Sequence, residues 1–292
     1  MTIKEAERIA REFESKTKKT ESDVFLFTEA MEYLIRVRQD PGDMMWLGGY
    51  YYEIQNFDLA LHYYEMAEEC GSDEACECLG YIWYYGRTGK VDYEKAYRYF
   101  SRIMEKGHLV SAYKVADMYK NGYYVEKDEE KFASIIESLY PKASKCRDVF
   151  DPVPEIFIRL AEVRKKQGRD KEAEDLYRSA KDVLAQRLEN SNFFGNFNIM
   201  KQLINDMYET APPDPDDLDL YDLYYVLKTP NKVRFCSDEK NYEVEAVMDG
   251  RECAVKFGDK WYRDRNQFFS EATIDGKPIA LFYYDLYGFE VV

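Results

Sequence analysis

An offset of 36 residues recurs in the middle of the chain, and it constrains the fold more than any other feature. It sets Gly71 on Gly107, Leu79 on Val115, Gly80 on Ala116, Trp83 on Tyr119 and Gly86 on Gly122. The same offset sets Asp92 on Asp128 and Glu94-Lys95 on Glu130-Lys131. Small residues return where two helices would press together, and glycines return where a helix would end. Each unit therefore reads as helix, loop, helix. One such pair has a single apolar face that it cannot bury alone, and stacking on neighbouring pairs solves this.

The residues of that unit are specific enough to suggest a family. Ala75-x3-Leu79-Gly80-x2-Trp83-x2-Gly86, followed by Asp92-Tyr93-Glu94-Lys95-Ala96-x2-Tyr99, resembles the Sel-one-like repeat. The flanking units resemble the plainer tetratricopeptide repeat, with Leu47, Gly48, Tyr51, Ala60, Tyr64 and Ala67 in one. Phe157, Leu160, Ala161, Ala173, Tyr177 and Ala180 occupy the same positions in the other. From Leu to the second-helix Ala the spacing is 13 in the flanking units and 17 between Leu79 and Ala96. That four-residue loop extension marks the Sel-one-like form. The resemblance covers about residues 42–190 and implies helix pairs at 42–55 with 57–70, 73–86 with 92–106, 109–122 with 128–140, and 154–167 with 170–187. Leu79, Gly80 and Ala96 should meet at one helix crossing. Val115-Ala116-Asp117 departs from the Leu-Gly pattern, and Pro141, Pro152 and Pro154 predict a kink or irregular connection before the last pair.

Outside the repeats the periodicity changes. Residues 3–39 read as two helices, the second with Ser22 as its N-cap. Residues 196–209 read as a further, capping helix. From Asp206 to Asp222 there are seven acids, no Lys or Arg, and Pro212, Pro213 and Pro215, which predicts a boundary. Leu218–Leu227 reads as a short helix. Tyr242–Met248 then alternates with a period of two, Asp249-Gly250 turns, Cys253–Phe257 returns, and Gly258-Asp259 turns before Trp261. A short helix around Asn266–Ala272, a turn at Asp275-Gly276, and strands at Ile279–Tyr284 and Tyr287–Val292 complete the reading. The expected fold is mainly α: an α-solenoid of stacked helix pairs over residues 1–210, an acidic Pro-rich linker at 211–216, and a small α+β module with an antiparallel sheet at 217–292.

The chain carries 56 acidic and 41 basic residues, a formal charge of -15, so it has no global attraction for nucleic acid or anionic lipid. The basic cluster Arg164, Lys165, Lys166 and Arg169 is interleaved with acids and reads as a solvated helix face. The charged N-terminal stretch lacks a signal-peptide core, and no run is long and apolar enough to span a membrane. The six irregularly spaced cysteines then read as reduced thiols, and the expected location is cytoplasmic.

Motifs that could carry chemistry are few. Cys76 and Cys78 point about 200° apart on a helix and cannot converge on one ion, even with Cys70 and His62 nearby. Asp214, Asp216, Asp217 and Asp219 lack the glycine and terminal glutamate of a calcium loop. Gly86–Lys90 lacks the spacing and the hydroxyl residue of a phosphate loop. The chain has only two histidines, His62 and His108, and no carboxylate pair stands out as an acid–base couple. Trp261-Tyr262, Phe268-Phe269 and Phe282-Tyr283-Tyr284 read as core of a small sheet before they read as a ligand platform. No catalytic residue, cofactor or metal site is expected.

The expected function is a protein- or peptide-binding scaffold, gripping its partner on the concave face formed by the first helix of each pair. The resemblance places Met45 and Tyr52 on that face in the first unit, and Glu77, Tyr81 and Tyr84 in the second. It adds Tyr113, Asp117 and Lys120 in the third, and Ile158, Glu162 and Lys165 in the fourth. Tyrosines flanked by acids suit an extended or helical peptide with basic residues. The alternative makes the C-terminal module a small-ligand-binding or enzymatic effector targeted by the repeats.

Overall fold

The computed structural model of the chain describes residues 1–190, 194–209, 211–238 and 240–292. Residue 210, at the end of the expected repeat domain, lies outside the described residues. The chain divides into two compact units, Met1–Leu139 and Tyr140–Val292.

The first unit opens with α1 (Ile3–Ser15) and α2 (Glu21–Arg38). Ser22 lies inside α2 rather than capping it. Thr20 is the cap, because Thr20 and Asp23 form a reciprocal box: the Asp23 amide donates to Thr20 Oγ1 at 3.2 Å and the Thr20 amide to Asp23 Oδ2 at 2.9 Å. The repeats follow as α3 (Pro41–Glu53) with α4 (Phe57–Glu69), α5 (Asp73–Tyr85) with α6 (Tyr93–Met104), and α7 (Leu109–Asn121) with α8 (Glu129–Ala143). The expected pairs are all present.

The close approach inferred from the small residues is visible atom by atom. A Cβ on Gly48 would lie 2.7 Å from the Tyr64 ring, and one on Gly80 would lie 2.5 Å from the Phe100 ring. Glycine therefore lets an aromatic ring of the second helix press on the backbone of the first. The ring follows the glycine by 16 residues in the first repeat and by 20 in the second, which is the same four-residue extension. Leu79 and Ala96 are fully buried at this α5–α6 junction. In the third repeat the equivalent positions hold Ala116 and Ile136, both fully buried, so the small residue gains a methyl where its counterpart loses a ring.

The extension loop also repeats its geometry. Gly86 and Gly122 end their helices in the left-handed region, where glycine carries no Cβ penalty. The amide of Asp92 then donates to the Trp83 carbonyl at 3.0 Å, and that of Asp128 to the Tyr119 carbonyl at 2.9 Å. Each aspartate caps the next helix by accepting from the amide of Lys95 or Lys131. Those lysines lie over the Trp83 and Tyr119 rings, 3.8 and 4.1 Å from the centroids.

The second unit contains α9 (Val153–Lys166), α10 (Asp170–Asn190) and α11 (Phe194–Met207). Pro152 and Pro154 sit at the cap and in the first turn of α9, where a missing N–H leaves no intrahelical bond unmade. They start this helix, and the irregular connection is the stretch before it. After α12 (Leu223–Val226) come β1 (Asn231–Ser237), β2 (Lys240–Asp249), β3 (Glu252–Phe257) and β4 (Lys260–Tyr262). Next are α13 (Arg265–Glu271), the small hairpin β5 (Thr273–Ile274) and β6 (Lys277–Pro278), and β7 (Tyr287–Val291).

The main sheet is antiparallel in the order β4-β3-β2-β1-β7. Its register aligns Val233 with Val244, Val244 with Phe257, Ala246 with Val255, and Val255 with Tyr262, which gives one continuous buried face. Phe268 of α13 seals it, with ring centroids 5.7 Å from Phe257 and 5.6 Å from Tyr262. Phe268, Phe269 and Tyr262 are thus core, whereas Trp261 and Tyr284 are exposed. Strand β1 leaves little trace in the sequence: Val233 and Phe235 are its only large apolar residues, set among charges that pair across the sheet, as in Lys232–Glu243 at 2.9 Å. Conversely, Ile279–Phe282 is a 3-10 turn packed on α10 and not a strand. Burial of Ile279, anchored by its amide on the Ala272 carbonyl at 2.9 Å, explains the apolar run there.

Candidate partner-binding face

In the first unit the face is carried by α3, α5 and α7, whose small residues turn toward the second helices and whose tyrosines flank them. Met45 is half-buried and packs against the clusters on both sides of it. Tyr52 is half-buried, edge-on to Phe57 at 5.2 Å between centroids, and burial raises its hydroxyl's pKa against the pull of Arg87. Glu77 lies 3.6 Å from His108 Nδ1. Burial raises the Glu77 carboxyl above the usual range, and His108 opposes that shift.

Tyr81 and Tyr113 share a hydroxyl–hydroxyl bond of 2.8 Å that ties α5 to α7. Between these helices lies a residue the sequence reading passed over. Lys114 is 4% exposed, donates to the Tyr85 hydroxyl at 2.7 Å, and has its ammonium 4.9 to 5.4 Å from the ring centroids of Tyr81, Tyr84, Tyr85 and Tyr113. The chain thus fills a tyrosine cage with its own cation. The signal was available: the 36-residue offset places Lys114 on Cys78, so a charge stands where the previous repeat has a packing residue.

Several of the expected face residues are part of the packing. Tyr113 and Asp117 are buried. Tyr84 packs edge-on against Phe100, Tyr93 and Tyr123. Large aromatic rings on adjacent helices reach one another before they reach solvent, so the layer is part of the core as well as a face. Lys120 lies over the Phe132 ring at 5.5 Å. The half-exposed positions are Met45, Tyr52, Glu77, Tyr81, Tyr84 and Lys120.

Ile158, Glu162 and Lys165 belong to α9 in the second unit. Ile158 is buried, Glu162 pairs with Lys166 at 3.6 Å, and Lys165 donates to Glu209 at 3.1 Å. Cys76 and Cys78 of the first unit are occupied by packing, whereas Cys70 is exposed. Cys76 contacts Arg102, and burial pushes the Cys78 thiol up to about 12. All six cysteines are free thiols. None of the described helices is long and apolar enough to cross a membrane.

The Sel1 repeat model matches residues 42–72, 74–108 and 109–133, so residues 42–133 are Sel1 repeats. A Sel1 repeat protein from Oxalobacter formigenes is similar in structure, at 19% identity and a TM-score of 0.49, over 70% of this chain and 76% of that one. So is c5321, a protective antigen of uropathogenic Escherichia coli with the same class of repeats, at 16% identity and a TM-score of 0.45. There the match covers 71% of this chain and 46% of the other. No curated protein matches the sequence.

Proposed function

We propose, for a chain whose residues 42–133 form Sel1 repeats, a non-catalytic role: holding a segment of another protein on the face of α3, α5 and α7. Sel1-repeat arrays are a fold generally used for protein interaction, and stacked helix pairs offer extended surfaces for it. The observation that carries the reading is the Tyr81–Tyr113 bond with Lys114 beneath it. It holds the tyrosine layer in place before any partner arrives, so little side-chain entropy remains to be lost on binding. Tyr52, Tyr81 and Tyr84 offer aromatic surface, and Glu77 offers a carboxylate to a basic residue. The cytoplasm, where six free thiols stay reduced, is our reading of its location.

The test uses positions that are half-exposed and do not hold the layer together. Full-length protein and a Tyr52→Ala/Glu77→Gln variant are compared in affinity capture from the native host, with circular dichroism to confirm equal helix content. The reading expects a protein captured by the parent to be lost by the variant. Equal recovery by both would overturn it.

A further inference from the structure

The second unit contains a cavity that the partner-binding face does not use. It has a volume of about 660 Å³ and lies where the proline-rich acidic segment passes α10 and the end of α11. Seven acidic and three basic residues line it. All three bases are already paired. Lys165 binds Glu209 at 3.1 Å, and Arg178 binds Glu174 at 3.0 Å. Lys181, 6% exposed, is held by Asp222 at 2.5 Å and Asp219 at 2.7 Å. Asp170, Asp182 and Asp214 have no ion-pair partner among the described residues, and all three line the cavity.

A second observation is independent of these charges. Tyr177 lines the same cavity and is only 5% exposed, yet its hydroxyl has no hydrogen-bond partner among the described residues. The ring is buried but the hydroxyl is open to the cavity, where its hydrogen-bonding capacity is unused. Its ring also supplies the flat apolar wall that a cation's stem would lie against.

The spacing decides what kind of cation fits. Asp170 and Asp182 are twelve residues apart on α10, about 18 Å along a helix. Carboxylates so far apart cannot share a metal ion, whose oxygen ligands must all lie within about 2.6 Å of it. They can serve amino or guanidino groups spread along a chain. We infer that this cavity binds an extended organic polycation, with cationic groups on Asp170, Asp182 and Asp214 and one donor on the Tyr177 hydroxyl. Its source is either a free polyamine or an arginine- or lysine-rich peptide segment.

The experiment is titration calorimetry on the full chain with spermidine and with a hexa-arginine peptide, against magnesium chloride as a charge control. Asp170→Asn/Asp182→Asn and Tyr177→Phe are the test variants. Glu14→Gln/Glu126→Gln removes the same charge from exposed positions of the first unit. The inference expects one of the two polycations to bind where magnesium does not. Its affinity should fall about tenfold in each test variant, the scale of one charge-assisted hydrogen bond, and stay unchanged in the control variant. Which probe binds identifies the source. Thermal unfolding of each variant separates lost binding from lost fold, and the two exposed aspartates keep the test valid should Tyr177→Phe prove unstable. No binding beyond magnesium, or an equal loss in the control variant, would overturn the inference.

Discussion

The two units solve the same problem with different chemistry. In the first, neighbouring helices meet through glycine, alanine and aromatic rings, and successive units reuse one geometry: Gly48 under Tyr64, Gly80 under Phe100, Lys95 over Trp83, Lys131 over Tyr119. In the second, charged groups are drawn inside and paired over long sequence distances. Arg187 is 4% exposed, bonds Glu155 at 2.7 Å, and donates to the carbonyls of Val149 and Asp151. Lys181 reaches Asp222, 41 residues away, while the hydroxyls of Tyr208 and Tyr283 complete the shells of Asp222 and Asp219 at 2.6 and 3.0 Å. Apolar repetition tolerates substitution that preserves volume. A buried ion cluster tolerates little, because removing one member strands the others.

The sharpest test of that contrast is Lys181→Met. It leaves Asp219 and Asp222 without their cation inside the second unit, and we expect a loss of about 3–5 kcal/mol, the usual scale for breaking a buried pair. Burial already raises the Asp222 carboxyl's pKa, against the opposing pull of Lys181. A carboxyl with a raised folded-state pKa favours folding at low pH, and that stability is lost as pH rises through the raised value. The deficit of the variant should therefore grow as pH climbs above the ordinary 3.8. Urea unfolding at several pH values checks this, and a flat profile would show that the cluster is not what holds the unit.

The matching test in the first unit is steric. Gly80→Ala places a Cβ against the Phe100 ring, and Ala96→Leu overfills a fully buried site on the facing helix. Each should cost about 1–3 kcal/mol by thermal unfolding, without pH dependence. A variant that melts like its parent would mean that the helices are not pressed together there.

The smallest effect is at the start of α2. Lys16 and the Thr20 capping box hold the exposed Asp23 carboxyl down from 3.8 to about 2. A depressed carboxylate stabilises above its ordinary pKa and loses that contribution as pH falls through the lowered value. Protection of the first-turn amides of α2, taken relative to their intrinsic exchange rates, should therefore fall between pH 4 and about pH 2, a loss that Asp23→Asn would abolish.

The sequence by itself determined the repeats, because each repeat contact is local and recurs. Gly80, Ala96 and the 36-residue offset each announce a helix crossing, and the 13- and 17-residue spacings announce the loop. Most strands of the C-terminal sheet were legible through their alternation and Asp-Gly turns. Strand β1 offers only two large apolar residues, too short a pattern to mark a strand, and Ile279–Phe282, four apolar residues in a row, carries no period that separates a strand from a 3-10 turn. Among the face residues, the sequence placed Tyr81 and Tyr113 on the same side but could not show that they bond to each other or that Lys114 fills the space between them. Only the tertiary structure decided which charges are buried and paired. Periodicity records which side of an element is apolar, whereas an ion pair between Lys181 and Asp222 depends on where two distant segments come to rest. The cavity beside that pair, with its unpaired carboxylates and the Tyr177 hydroxyl open to it, exists only because those segments fold against each other.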